Sequence, residues 1–137
     1  MPTQRTEIIS EIFDLARCIN SNQLDTTLTM IQLRTVMYIS ENGTVKPTEI
    51  AKNFNITPAS VTSQIDTLVK RGLIERVFNQ DDKRVIEVTL TKQGKDLLPK
   101  EIKKLNESSS WIFKSLTKKD ESQLLEILMK INGAKSV

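Results

Sequence analysis

"VKPTEIAKNFNITPASVTSQIDTLVKRGLIERV", residues 45–77, decides the fold. Pro47 suits the first turn of a short helix, because it has no N–H to leave unpaired there. Ile50, Ala51 and Phe54 are that helix's expected buried positions. The tight turn "NFNI" follows. Thr57 is a good N-cap for a second helix, Pro58 takes its first position, and Ile56 with Val61 can form a hydrophobic staple. Val61, Ile65 and Leu68 recur at helical spacing as a buried stripe, and Gly72 supplies the stop. Two helices joined by a turn of about four residues, the second capped at its start, have helix-turn-helix spacing.

The flanking sequence extends this unit. Upstream, Thr29 and Gln32 have capping-box spacing, Leu28 and Leu33 can close a staple, and a helix is expected to Glu41 before the left-handed stop at Asn42–Gly43. Downstream, residues 73–78 and 84–90 read as two strands. Ile86, Val88 and Leu90 fall on one face of the second strand, with Glu87 and Thr89 on the other. The charge knot Asp81, Asp82, Lys83, Arg84 forms the hairpin tip. A helix-turn-helix followed at once by a β-hairpin is a winged helix.

The termini read as helical. Residues 6–19 carry an apolar stripe of Ile8, Ile12, Leu15 and Ile19, and the polar stretch "NSNQLDTT" ends it. A long helix is expected over residues 91–114, with Pro99 kinking or breaking its first turns. Thr117 caps a last helix with the wide apolar face of Leu124, Leu125, Leu128, Met129 and Ile131. The fold class is mainly α with a small β-hairpin (α+β). It divides into an N-terminal dimerisation helix (1–27), a winged helix-turn-helix (28–91) and C-terminal dimerisation helices (92–137).

Composition narrows the function. The chain has 137 residues, is 38% hydrophobic and 27% charged, and carries a net +3. Those values suit one folded domain with a helical extension. The charge is uneven. Residues 1–45 hold three basic and five acidic groups, residues 46–95 nine and six, and residues 96–137 eight and six. The middle segment is the basic one. The chain has no histidine, and Cys18 is its one cysteine, so the usual proton shuttle and commonest metal ligand are missing, and an internal disulfide or multi-thiolate metal site is excluded. No activated nucleophile pair is visible, so the reading is not an enzyme, and no cofactor is implied. No signal peptide or apolar run of about 20 residues appears, so a cytoplasmic protein without a membrane partner is expected.

The second helix of the motif opposes its apolar stripe with Ala59, Thr62, Ser63 and Lys70, flanked by Ser60 and Thr67, while Gln64 leans inward. Small hydroxyl-bearing residues near a helix N-terminus can approach DNA, and exposed backbone N–H groups there can meet phosphates. The bland alternative is a solvated helix face. In the hairpin tip, Arg84 suits a minor groove and Lys83 a phosphate. Asp82 makes sense there if it hydrogen-bonds Arg84 or the tip backbone and so fixes the guanidinium direction. The bland alternative is a solvated turn.

The stretches "LTMIQLRTVMYI", "TEIAKNFNITPASVTSQIDTLVKRGLIERV", "DDKR" and "VTLTKQG", in this order and spacing, resemble the multiple-antibiotic-resistance-regulator (MarR) family of winged-helix repressors. The family's wing pair of Asp and Arg falls on Asp82 and Arg84, and its D-x-L-x-x-x-G-L-[IV]-x-R run on Asp66, Leu68, Gly72, Leu73, Ile74 and Arg76. The resemblance implies a homodimeric regulator, a repressor, on a pseudo-palindrome in double-stranded DNA. It also implies a crevice for a small lipophilic or phenolic effector between dimer helices and DNA-binding lobe. The expected DNA-binding residues are Thr57, Pro58, Ala59, Ser60, Thr62, Ser63, Gln64 and Thr67 in the recognition helix, and Asp82, Lys83 and Arg84 in the wing. Thr48, Lys70 and Arg76 are expected nearby.

The chain departs from the family pattern in two places. Ser63 and Gln64 stand where many members carry Arg, Lys or Asn, and Lys46 stands where members often have a hydroxyl cap. The alternatives are a winged-helix protein-interaction module without DNA readout and a redox regulator acting through Cys18. Against the latter, Cys18 lies near its helix's C-terminal end, where the dipole disfavours a thiolate. Trp111, Phe113, Tyr38 and Phe13 are read as core or interface before ligand pocket.

Overall fold

The structure is a computed structural model that describes residues 1–21 and 26–134. In chain order the elements are α1 (Gln4–Ser21), α2 (Met30–Asn42), β1 (Thr44–Val45), α3 (Pro47–Phe54), α4 (Pro58–Lys70), β2 (Ile74–Phe78), β3 (Ile86–Leu90), α5 (Lys92–Ser108), a 3₁₀ turn (Ser110–Phe113) and α6 (Lys118–Ala134). The polar stretch expected to end the first helix lies partly outside the described residues.

Local chemistry sets most boundaries. The capping box before α2 is complete: Gln32 N–H donates to Thr29 Oγ1 at 3.3 Å, and Thr29 N–H to Gln32 Oε1 at 3.0 Å. Thr57 Oγ1 accepts from Ser60 N–H at 3.1 Å and starts α4. Asn55 turns the chain in the left-handed region, at φ 53°. Lys46 gives α3 no side-chain cap, because its ammonium has no lone pair to accept a backbone N–H, and Pro47 removes one donor that would otherwise go unpaired.

The sheet is antiparallel in the order β1-β3-β2. The two-residue β1 was not anticipated. It is too short to show alternation, and it exists because Thr44 and Val45 pair with Thr89 and Val88.

The core is built from α2 (Leu33, Val36, Ile39), α3 (Ile50), α4 (Val61, Ile65, Leu68), the sheet (Ile74, Val88, Leu90) and α5 (Leu98). Each such side chain contributes roughly 1.5–3 kcal/mol when fully buried. Ala51 and Phe54 are only half-buried. Phe54 instead forms a bracket between helices. The Tyr38 ring meets it edge-on at 5.8 Å, the Arg34 guanidinium lies 4.5 Å over its face, and Asn53 Nδ2 donates to Tyr38 Oη at 3.1 Å.

Four sequence expectations need correction. Gly43 ends α2 at φ 80°, ψ −83°, a positive-φ stop outside the left-handed helical region. The second strand begins at Ile86 rather than residue 84, because Asp82 Oδ1 takes the Arg84 N–H at 3.0 Å and holds it in the turn. Ile86 shares a face with Val88 and Leu90, as expected, though it is 44% exposed where they are buried. The long helix ends at Ser108, not near residue 114, and it runs unbroken through Pro99. Its C-terminus is a serine run whose hydroxyls return to the backbone. Ser108 Oγ donates to Lys104 O at 2.8 Å and Ser109 Oγ to Leu105 O at 2.6 Å.

Beyond Leu98 in the core, Gly94 and Glu101 fasten the winged helix to α5. Gly94 sits against β2's entry: a Cβ there would lie 2.1 Å from Leu73 O. Thr91 caps α5 through Gly94 N–H (3.1 Å) while its hydroxyl donates to Gly72 O (2.6 Å). The second contact is Glu101, which is fully buried. Thr27 N–H lies 3.1 Å from both carboxylate oxygens, the Thr27 hydroxyl donates to Oε1, and Leu28 N–H donates to Oε2 at 3.4 Å. Burial pushes the Glu101 carboxyl up, but the Thr27 and Leu28 donors, with the Lys104 charge, outweigh it and hold the group below its ordinary range. On its other side, Thr27 O accepts from Arg71 Nη1 at 3.2 Å. One residue thus ties α5 to the end of α4.

Candidate nucleic-acid interface

The core stripe of α4 turns its remaining surface outward. Thr57, Pro58, Ala59, Thr62, Ser63, Thr67 and Lys70 are exposed, whereas Ser60 and Gln64 are half-buried. Thr62 Oγ1 donates to Pro58 O, and Thr67 Oγ1 to Ser63 O, both at 3.0 Å. Each hydroxyl has thus committed its proton to its own helix, and its lone pairs remain to accept from a base amino group. Thr48 is exposed in the first turn of α3.

The wing is joined to this face by an ion pair. Arg76 on β2 donates to Asp66 Oδ1 on α4. Both residues stood in the sequence pattern, but their pairing across ten positions was not anticipated. Asp66 is exposed, so the pair fixes the β2–α4 geometry more than it stabilises the fold.

At the tip, the Asp82 carboxylate grips Arg84 three times. It accepts from the backbone N–H at 3.0 Å, from Nε at 3.0 Å and from Nη2 at 3.1 Å. The Arg84 side chain first, and its backbone N–H second, hold the Asp82 carboxyl below the ordinary range; the carboxylate in turn raises the guanidinium further. Arg84 nevertheless leaves 91% of its side chain to solvent. A cation is therefore aimed outward by a carboxylate that stays beneath it. Lys83 is exposed beside it.

Asn79 organises this tip and was missed in the sequence. Its Oδ1 accepts from Asp81 N–H (2.9 Å) and Asp82 N–H (3.0 Å), and its Nδ2 donates to Glu87 Oε1 (2.6 Å). An Asn followed two and three residues on by amides that must turn is the signal that marks such a role.

A cavity of about 600 Å³ opens where α1, α2 and the end of α5 meet, lined by Ile19, Leu28, Met30, Leu105, Ile112 and Phe113 among others. Of the four aromatics considered, only Phe113 lines it. Tyr38 packs on Phe54, and Phe13 is 72% exposed. Cys18 is half-buried on α1. Among the described residues no group of His, Cys, Asp and Glu can hold a metal, and no described helix is long and apolar enough to cross a membrane.

A capped helix with a small polar face, held by an ion pair to a cation-tipped hairpin, defines a winged helix-turn-helix of the nucleic-acid-binding kind. The MarR family profile matches residues 28–86. The uncharacterized HTH-type transcriptional regulator YhbI of Bacillus subtilis is 30% identical over 132 residues, covering 90% of this chain and 83% of that protein. The HTH-type transcriptional repressor MdtR of the same organism is 36% identical over 67 residues, 49% of this chain and 43% of its own length. Among solved structures, a MepR-like protein complexed with pseudoligands superposes with a TM-score of 0.75 at 27% identity, over 96% of this chain and 95% of its own. A cysteine-to-serine mutant of Escherichia coli MarR complexed with operator DNA shares the fold, with a TM-score of 0.74 at 23% identity, over 95% of this chain and 99% of its own. The chain belongs to the MarR family and is a DNA-binding transcriptional regulator, not an enzyme.

Proposed function

We propose that the chain is a homodimeric repressor that reads a pseudo-palindromic site in double-stranded DNA, one α4 face and one wing per half-site. The observation that carries this reading is the Asp82–Arg84 grip. A carboxylate would be repelled by DNA, and its place at a wing tip makes sense as the device that points Arg84 into a minor groove. Thr57, Thr62, Ser63 and Thr67 meet the major groove, with Gln64 at its margin, and Lys70, Lys83 and Arg76 serve phosphates. The repressor assignment is supported by the name of MdtR.

Dimerisation is supported by the terminal helices. No residue of α1 or α6 is buried, and Ile8, Ile9, Ile12 and Phe13 on α1, with Leu125, Leu128, Met129 and Ile131 on α6, are between 46% and 72% exposed. Apolar surface on that scale is covered by a partner, and a second copy related by a two-fold axis is the simplest one. Residues 1–27 and 92–137 then form the dimer module and 28–91 the DNA-binding region.

An effector response is supported by the apolar cavity, by the pseudoligands in the MepR-like relative, and by the segment 26–29 that lines the cavity. Thr26, Leu28 and Thr29 line the cavity, while Thr27 between them holds Arg71 at the end of α4. A small lipophilic or phenolic molecule in the cavity would act on α4 through that residue. Filter-binding titration of the protein against mixed genomic fragments tests the reading. Saturable retention of a few fragments that share a pseudo-palindrome is expected, and retention no better for any fragment than for bulk DNA would overturn it.

A further inference from the structure

The hairpin carries an apolar step that the described residues leave largely open. Strand residues two apart share a face, and so do register partners. The pairs are Ile74 with Leu90, Arg76 with Val88, and Phe78 with Ile86. Ile74, Val88 and Leu90 are buried, so this is the inner face of the sheet. Arg76 on that face reaches Asp66 of α4. One pair further out, Phe78 is 69% and Ile86 44% exposed. The inner face therefore continues past the core as an apolar pair standing between Arg76, on the α4 side, and Arg84, at the tip. At about 3.3 Å of rise per residue the pair lies roughly 7 Å beyond Arg76 along the strand.

An exposed Phe on a short hairpin is a liability unless something covers it. Its neighbours say what. Arg84 belongs to the surface proposed to meet DNA, and Arg76, paired to Asp66 of α4, borders it, so the apolar pair is continuous with that surface. DNA also presents apolar material beside its phosphates: the deoxyribose carbons and the base edges of the minor groove, against which apolar side chains wedge. We propose that Phe78 and Ile86 form an apolar contact surface of the wing that packs on deoxyribose and base edges beside the groove entered by Arg84. This rests on the reading of the wing as a DNA contact. It assigns the wing two separable jobs. Arg84 displaces counterions and makes binding depend on salt, whereas Phe78 and Ile86 bury carbon and add affinity that salt does not change.

The test is a salt series of binding titrations on a duplex that the wild-type protein selects from a random pool. Phe78→Ser should lower affinity about tenfold per wing, the size expected for burying one aromatic side chain, and so about 100-fold for a dimer with two wings, with an unchanged slope of log affinity against log salt. Ile86→Ser should lose less with the same unchanged slope, and Phe78→Leu should keep most of the affinity. Arg84→Ala, the control, should flatten the slope. Thermal melts establish that the exposed positions leave folding intact, and Ile86→Ser carries the test alone if Phe78→Ser does not fold. Wild-type affinity in both serine variants would overturn the proposal, as would a loss accompanied by a flattened slope. A larger wild-type assembly that Phe78→Ser dissolves at unchanged DNA affinity would also overturn it, by giving the surface to a second copy. Failure of the wild-type protein to select any duplex refutes the DNA-contact reading itself, and this inference with it.

Discussion

Replacing Glu101 with Gln tests the joint between the winged helix and α5. The wild-type carboxylate is fully buried and accepts from Thr27 N–H, the Thr27 hydroxyl and Leu28 N–H. Gln keeps the shape but offers one acceptor oxygen and turns an NH₂ donor toward these donors. About two charge-assisted hydrogen bonds are lost, each worth roughly 1.5–3 kcal/mol, so the variant should lose at least about 3 kcal/mol. For a chain of this size that is a fall in melting temperature of about 10 °C. The dependence on pH has a definite sign. The folded carboxyl titrates below its ordinary range. Its contribution is therefore complete above the unfolded carboxyl's pKa, about 4.3, and is lost as pH falls through the lower folded value. Thermal melts of both proteins, at one protein concentration and at a series of pH values from neutral to acid, should show a gap that is widest near neutrality and narrows in acid. A variant that melts within about 2 °C of wild type at neutral pH, or a gap that widens in acid, would refute the reasoning.

Three other outcomes follow from the geometry. Gly94→Ala should destabilise the protein by roughly 2–3 kcal/mol in urea titrations, because the new methyl meets the Leu73 carbonyl and neither backbone can yield freely. Asp82→Asn should bind DNA no more tightly than wild type, although it removes an acidic charge, because the guanidinium loses its carboxylate grip; clearly tighter binding would make the tip an ordinary loop. Leu128→Asp should convert the protein from twice the 15.6 kDa chain mass to the single chain in sedimentation, since it places a carboxylate within the exposed apolar face of α6; a wild-type protein that already sediments as a single chain would refute the dimer.

The sequence was most legible where structure is decided within a few residues. The caps at Thr29, Thr57 and Thr117 and the stop at Gly72 act over three or four positions, so their spacing is visible in the string. The Asp82–Arg84 grip spans two residues and was legible for the same reason. Contacts made across the fold were not. Glu101 meets Thr27 over 74 positions and reads in sequence as one more charge on a lysine-rich helix. β1 is defined by its partner strand alone. The break after Ser108 was hidden because Ile112 and Leu116 stay near helical phase, while the serine hydroxyls that end the helix act on carbonyls the sequence does not display. Asp66 and Arg76 were legible as members of a pattern, but the ion pair that unites helix and wing required the fold.

The central claim is that the exposed face of α4 lies against DNA, and Ser63→Glu tests it most directly. Ser63 is exposed, so the variant should melt with wild type. A carboxylate there faces phosphates and base edges. Affinity for both the selected operator and unrelated duplex should fall by about 100-fold, as expected when like charges meet in an interface at a cost of several kcal/mol. Wild-type affinity in a folded Ser63→Glu protein would show that this helix does not face DNA.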